Sequence, residues 1–216
     1  MYMMEQVIAG KTSVAAKMRG VWFTFDDGPS PEYTPALLSY LDGYGVKATF
    51  FVCGKFAEQY PEIVRLTFTK GHEIGNHTWD HPDLKLSEEP EIIDQLERTN
   101  VLIESITGMR PRHFRAPYSS YNKQVIQLAK AVGLDMVGWT RMGMDWEDRA
   151  PKNIAECVLE KGISENDIIV LHDGCADILN SFDRILYTKR WSTVSATPLI
   201  IDKLNANGII VHNPGM

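Results

Sequence analysis

Short apolar runs alternate with helix-like stretches along this chain of 216 residues. The runs are rich in β-branched and aromatic residues, which favour buried strands, and they end at Gly, Pro or polar residues. Such alternation predicts a parallel sheet or barrel with helical crossovers, and we expect a barrel. The expected strands are Val21–Phe25, Lys47–Val52, Glu73–Asn76, His113–Ala116, Leu134–Trp139, Asp167–His172 and Gly208–His212. The expected helices are Thr34–Tyr44, Phe56–Thr69, Ser87–Ile106 with Ser87 as N-cap, Lys123–Ala131, Asn153–Lys161 and Pro198–Ala206.

Composition narrows the class of protein. The length suits one domain, and 44% hydrophobic with 23% charged residues is typical of a soluble globular chain. A net charge of −6 argues against a nucleic-acid partner, which would require clustered Lys and Arg. Cys53, Cys157 and Cys175 are widely spaced and form no CxxC motif, so we expect free thiols.

The chain lacks a run of the roughly 18 apolar residues that a transmembrane helix needs. Its first twenty residues, MYMMEQVIAGKTSVAAKMRG, contain no continuous apolar segment typical of a secretory signal peptide. On this pattern alone we expect a cytoplasmic protein, and nothing in the sequence predicts a protein partner.

Two adjacent carboxylates, Asp26 and Asp27, follow the first expected strand. The carboxyl ends of strands are where α/β folds hold their active sites. Neighbouring side chains on an extended backbone point to different sides, so one could bind a cation while the other accepts a proton. On this stretch alone, an ordinary solvated Asp-Gly-Pro turn explains the pattern equally well.

Two histidines, His77 and His81, follow the strand Glu73–Asn76. A spacing of four lets both rings converge on one cation from a helix or a tight loop. The alternative is two unrelated surface histidines. With Asp27 as a third ligand, the set suits a divalent metal such as zinc and leaves coordination positions open for water and substrate.

Polar residues also stand at or after three later strand ends. Arg115 could brace a carboxylate, or it could be a surface arginine with a packed stem. His172 ends the most apolar run and is either a general acid or base or a core histidine. Asp145, beside Trp146, is by itself an ordinary loop residue.

Taken together and in order, the motifs TFDDGP, HTWDH, RAPY, WTRMGMDW and LHD resemble those of the polysaccharide deacetylase (NodB-homology) family, the family-four carbohydrate esterases. The resemblance spans Val21 to His212 and implies a single-domain, distorted (β/α) barrel with seven strands. Residues 21–216 would form the catalytic domain and residues 1–20 an N-terminal extension. The family often acts at the cell envelope or outside the cell, which leaves the compartment open.

The resemblance implies a role for each matching residue. Asp27, His77 and His81 would bind the metal, which would be zinc, with cobalt and nickel as alternatives. Asp26 would be the general base that takes a proton from the attacking water, and Arg115 would hold it.

The other half of the implied site handles the leaving group. His172 would donate a proton to the departing amine, and Asp145 would keep His172 protonated. The backbone N–H of Tyr118 would stabilise the oxyanion. Trp139 and Leu171 would form the apolar pocket for the acetyl methyl group.

The implied substrate is an acetylated carbohydrate, with N-acetyl groups removed from N-acetylglucosamine polymers or oligomers such as peptidoglycan or chitin. The alternatives are O-acetyl groups of xylan, a non-sugar amide, or a catalytically silent carbohydrate-binding relative. The last is disfavoured because a binding module needs no separate acid and base. The sequence departs from the family pattern at Met142, where many relatives have Asp, and at Ser119, where Gly is common, so we expect altered loop geometry there.

Overall fold

The computed structural model describes residues 20–160, 162–176 and 190–211. Residues 1–19 of the expected N-terminal extension and the segment 212–216 lie outside this range. The described chain forms a seven-stranded sheet that curls into an incomplete barrel, which confirms the predicted α/β barrel. All the paired strands run parallel. The strands are β1 Trp22–Gly28, β2 Thr49–Val52, β3 Glu73–Asn76, β4 His113–Phe114, β5 Asp135–Met136, β6 Arg141–Met142 and β7 Ile168–His172.

The strand order is β5-β4-β3-β2-β1-β7-β6, so β1 lies in the interior of the sheet, between β2 and β7. Alternation along β1 separates two apolar layers. Phe23 and Phe25 lie in the main core cluster together with buried residues of the surrounding helices. Trp22 belongs to a second cluster that includes Phe51 of β2. Strand β1 is therefore buried on both faces, as parallel sheets require.

Seven α-helices of the described chain cover the outer face of the sheet or flank its loops. They are α1 Tyr33–Tyr44, α2 Gly54–Gln59, α3 Pro61–Thr69, α4 Glu89–Thr107, α5 Lys123–Ala131, α6 Pro151–Leu159 and α7 Trp191–Ala206. A short 3₁₀ turn, Pro117–Ser119, follows β4. In the part of the chain that the structure describes, no helix is both long and apolar enough to cross a membrane.

Several helix boundaries differ from the prediction, three of them for a reason in the sequence or with a changed cap or start. The expected helix Phe56–Thr69 is two helices, because Pro61 begins a new one at its N1 position. Glu88, not Ser87, is the N-cap of α4. The last helix begins well before Pro198, which lies inside α7 and was wrongly predicted to start it.

The strand predicted at Leu134–Trp139 is also corrected. Only Asp135–Met136 is a strand there, and the next strand, Arg141–Met142, pairs with β7 at the opposite edge of the sheet. The intervening residues cross the opening of the barrel, and Val137 and Trp139 pack on its inner apolar cluster. The predicted strand Gly208–His212 is wrong over its described part, where Val211 makes only an isolated bridge with Val21.

Candidate active site

A cleft of about 430 Å³ opens at the carboxyl ends of the central strands. This is the end of the sheet at which parallel α/β folds bind their ligands. Eight of the predicted site residues line it, namely Asp26, Asp27, His77, His81, Arg115, Tyr118, Trp139 and His172. The predicted residues thus come from β1, β7 and the loops after β3, β4 and β5 to meet in one place.

The two aspartates face the same cleft, although an extended backbone would separate them. The pairing register of β1 with β2 shifts between Asp26 and Gly28. Asp27 also adopts a left-handed conformation with φ of 73°. This irregularity re-aims the second carboxylate, as bulges beside active sites commonly do. The expectation that the two side chains diverge to different sides is therefore wrong.

Close backbone approach holds this turn against the loop after β7. The backbone N–H of Asp173 donates to the carbonyl of Asp26. A Cβ atom on Gly174 would overlap the carbonyl of Asp27, and one on Gly28 would overlap the carboxylate of Asp173. Glycine is required at both positions because only hydrogen fits there. The position of Asp27 is thus fixed by packing as well as by its own strand.

The two histidines occupy a tight loop directly after β3. Their Nε2 atoms each lie 3.3 Å from Oδ1 of Asp27. The three candidate ligand atoms lie within 4.8 Å of one another, and all three residues are buried. Thr78 and His81 have positive φ angles, which lets the loop fold back so tightly. The predicted convergence of the three residues is what the structure shows.

The donor set fits a divalent cation. Nδ1 of His77 lies 2.8 Å from the backbone carbonyl of Arg115 and donates to it, so Nε2, the atom that would bind a cation, faces Asp27. Burial raises the pKa of Asp27, but the charge of His81 and bonds to both histidines outweigh it and hold that pKa well below its usual range. A carboxylate beside two imidazole nitrogens is a donor set that suits a divalent metal ion.

Arg115 braces Asp26 at the bottom of the cleft. Its Nη1 donates to Oδ1 of Asp26 at 2.8 Å and to Oγ1 of Thr24 at 2.7 Å. The other guanidinium nitrogens donate to the carbonyls of Val137 and Gly138. The acceptors of these hydrogen bonds are backbone carbonyls and buried side chains. The guanidinium of Arg115 is therefore held beside the Asp26 carboxylate.

A second charged pair lies across the cleft. Nδ1 of His172 donates to Oδ1 of Asp145 at 2.8 Å, and Asp145 is fully buried behind the imidazole. Burial lowers the pKa of His172, but Asp145, with smaller contributions from Asp27 and Asp26, raises it to about 9. A cation at Asp27 would offset part of that shift, whereas the direct bond to Asp145 would persist. His172 is therefore protonated at neutral pH.

Aromatic side chains form the walls of the cleft. The ring of Tyr118 contacts the ring of His81 edge-on at 4.5 Å between centroids, and Trp146 contacts His172 in the same way at 5.5 Å. Trp139 donates from Nε1 to Oγ of Ser119 at 3.0 Å. Ser119, one of the two departures from the family pattern, has φ of 52°, which explains why glycine suits that position.

Comparison with known proteins agrees with this geometry. A family model for polysaccharide deacetylase matches residues 13–137. A chitooligosaccharide deacetylase of Azorhizobium caulinodans is 35% identical over 208 residues, which cover 95% of this chain and 98% of the relative. The chain belongs to the polysaccharide deacetylase family. The family resemblance noted from the motifs is thereby confirmed.

Two solved structures of the polysaccharide deacetylase family share the fold. The Bc1960 peptidoglycan N-acetylglucosamine deacetylase has a TM-score of 0.80 at 30% identity, covering 91% of this chain and 86% of that one. BA3943 of Bacillus anthracis, a CE4 family pseudoenzyme, has a TM-score of 0.79 at 29% identity, covering 90% of this chain and 63% of that one. The fold is thus compatible with both an active and an inactive site.

Leu171 is not brought to the cleft of this deacetylase-family chain. It pairs in register with Phe25, and both lie in the main core cluster on the helix-covered face of the sheet. Val170 and His172 face inward instead, beside Thr24 and Asp26 of β1. Side chains alternate along a strand, so an inward His172 requires an inward Val170. The prediction that Leu171 walls the acetyl pocket is wrong for this reason.

Other cleft residues were missed by sequence reasoning. Met142, noted only as a departure from the family pattern, lines the cleft beside Val170. Arg190 also lines it, and Thr193 lies behind it against Asp145. The last two residues belong to none of the five sequence motifs, so no local pattern indicated them.

Proposed function

We propose that this chain removes N-acetyl groups from N-acetylglucosamine units of an oligo- or polysaccharide, with a divalent cation held by Asp27, His77 and His81. One observation carries the proposal. A single cleft holds a three-donor metal site between a buried carboxylate–arginine pair and a buried histidine–aspartate pair. Hydrolysis of an amide needs this set, namely electrophilic assistance, a base for water and an acid for the amine.

Asp26 acts as the general base in this proposal. Its Oδ1 is held by Arg115, and the residue lines the cleft next to Asp27. The carboxylate of Asp26 accepts a proton from the attacking water. A divalent cation held by Asp27, His77 and His81 would polarise the carbonyl oxygen and lower the pKa of water.

His172 acts as the general acid. Asp145 holds its Nδ1 proton and the positive charge, which leaves Nε2–H to be given to the departing amine. The base and the acid must hold opposite protonation states at one pH, and separate partners of opposite charge provide this. The backbone N–H of Tyr118, at the edge of the cleft, completes the proposal as a donor to the developing oxyanion.

Zinc is the metal that we propose, because two imidazoles and one carboxylate with open positions form its usual catalytic donor set. Cobalt and nickel accept the same ligands, so selection in cells follows availability as well as affinity. The substrate is proposed from the family relatives, which act on chitooligosaccharide or on peptidoglycan by name. A peptidoglycan substrate would require this protein to act at the cell envelope.

A catalytically silent carbohydrate-binding role is the second candidate, because BA3943 is a pseudoenzyme of the same fold. Against it, Asp26 and His172 each keep a buried partner of opposite charge. Burying a charged pair costs desolvation energy. A protein that only binds carbohydrate does not need these two buried pairs. We therefore favour the enzyme.

An acetate-release assay tests the proposal on three substrates, which are chitotetraose, peptidoglycan and acetylated xylan. We expect metal-dependent release from at least one of the two N-acetylglucosamine substrates and none from the xylan. Acetate release from xylan alone would contradict N-deacetylation and would indicate an O-deacetylase. No release from any of the three by folded, metal-loaded protein would favour the silent relative.

Replacing Asp145 with asparagine should move the alkaline limb of the pH–rate profile to lower pH. His172 must be protonated to act as the acid, and Asp145 is what raises its pKa to about 9. Without that charge, His172 loses its proton closer to the ordinary value of about 6.5. The measurement is kcat against pH for both proteins, and an alkaline limb that does not move would contradict the pairing.

A further inference from the structure

The carboxylate of Asp145 is held from three directions, although its loop has no regular structure. It is 1% exposed, and the preceding residue, Met144, has a positive φ of 54°. Oδ1 accepts the Nδ1 proton of His172. Oδ2 accepts the backbone N–H of His172 and the hydroxyl of Thr193, each at 2.8 Å. The last contact comes from the first turn of α7, far along the chain.

Arg190, directly before α7, ties the same region together through the backbone. It is 4% exposed and donates from Nε to the carbonyl of Gly174 at 2.8 Å and from Nη1 to the carbonyl of Asp145 at 3.4 Å. Within the described parts of the chain, no carboxylate forms an ion pair with this guanidinium. Its bonds to these two carbonyls join the loops that contain Gly174 and Asp145 to the start of α7.

We infer that Thr193 and Arg190 are positioning residues of the reaction, which hold the Asp145 carboxylate so that Oδ1 meets His172. The inference rests on the proposed function of His172 as the acid. The start of α7 thus acts as an anchor for the loop between β6 and α6, and Thr193 reaches the reacting atoms only through Asp145 and His172.

Electrostatics agree with this geometry. Burial raises the pKa of Asp145, yet the charge and bond of His172, the charge of Arg190 and the hydroxyl of Thr193 outweigh it and hold that pKa below its usual range. Thr193 is completely buried and does not line the cleft, so it has no direct route to the substrate. Its effect must therefore pass through the orientation of Asp145.

The variant Thr193→Val tests the inference, because valine keeps the shape but removes the hydroxyl. We expect kcat to fall about 10-fold with KM unchanged, as for the loss of one hydrogen bond to a charged group. The downfield proton resonance of His172 Nδ1–H in the zinc-loaded full chain should broaden or move upfield. Thr193→Ser should restore both kcat and the resonance. If Thr193→Val does not fold, Thr193→Ala is used in its place.

A matched control lies one turn further along α7. Thr197 is also completely buried, but its hydroxyl donates to the carbonyl of Thr193 and not to Asp145. Thr197→Val should leave kcat and the resonance as in the wild type. Equal effects of the two valine variants would mean a general loss of helix packing and would overturn the positioning role.

Arg190→Lys tests the second residue, since lysine keeps the charge but loses the planar fork that serves two carbonyls. We expect about a 10-fold lower kcat, comparable to the loss of one such bond. A raised KM at unchanged kcat would make Arg190 a substrate-binding residue and overturn its part of the inference. The Nδ1–H resonance of His172 is measured without substrate. It therefore tests whether Thr193 and Arg190 position Asp145 even if the protein does not deacetylate the proposed substrates.

Discussion

Asp26→Asn is expected to lower kcat by about 10²- to 10⁴-fold, the range that general acid–base catalysis contributes, while the protein retains its metal. Asparagine has the same shape as aspartate and can still accept a bond from Arg115, but it cannot take a proton from water. Asp26 is not among the three converging donors of the metal site. The measurements are kcat for acetate release and metal content by elemental analysis of the same sample.

A surface carboxylate provides the control for Asp26→Asn. Asp135 is exposed at the edge strand β5 and forms an ion pair with Lys130. Asp135→Asn should leave both turnover and metal content unchanged. Loss of metal from the Asp26 variant equal to that from a ligand variant would contradict the division between base and ligand.

His77→Ala should remove both the metal and the activity. The variant deletes one of the three donor atoms, so that only Asp27 and His81 remain to bind the metal. Mutating groups that merely hold ligands in place costs about 10- to 100-fold in metal affinity, so losing a ligand itself should cost more than about 100-fold. The measurement is the metal affinity of the variant and of the wild type, determined by competition with a chelator.

His72 is the matched histidine for that experiment. It is buried at the amino end of β3, where its Nδ1 accepts the backbone N–H of Ala48, and burial lowers its pKa to about 4. His72→Ala should reduce thermal stability by leaving a cavity but leave metal affinity unchanged. Metal loss in both histidine variants would show that the affinity change reflects unfolding.

Much of the site was predictable because its residues stand at the ends of strands. Parallel strands carry their carboxyl ends to one edge, so Asp26, His77, Arg115 and His172 could be expected to meet there without knowledge of side-chain geometry. Strand pairing then fixed what the sequence left open. His172 lies in register with Asp26, and this places the proposed acid and the proposed base on the same inner face.

Other features depended on local backbone geometry. The shift of register after Asp26 and the positive φ of Asp27 turn two neighbouring side chains into one cleft, and no residue pattern predicts this. The assignment of Leu171 failed for a simpler reason. Counting alternate positions back from His172 leads to Val170, and that rule was available from the sequence.

Long-range contacts explain the remaining omissions. Thr193 reaches Asp145 from a helix 48 positions further along the chain. Arg190 bonds to backbone carbonyls, which carry no residue-type pattern. The two-residue strand Arg141–Met142 is formed by its pairing with β7 at the edge of the sheet. Propensity cannot indicate elements that tertiary pairing creates.

Metal dependence of acetate release tests the central claim most directly. The full chain is stripped with a chelator, assayed on N-acetylglucosamine tetramer, and assayed again after zinc, cobalt or nickel is added back. The account predicts no release from the stripped protein, recovery with at least one metal, and no recovery in His77→Ala. Equal release before and after chelation, with metal shown to be absent, would contradict it.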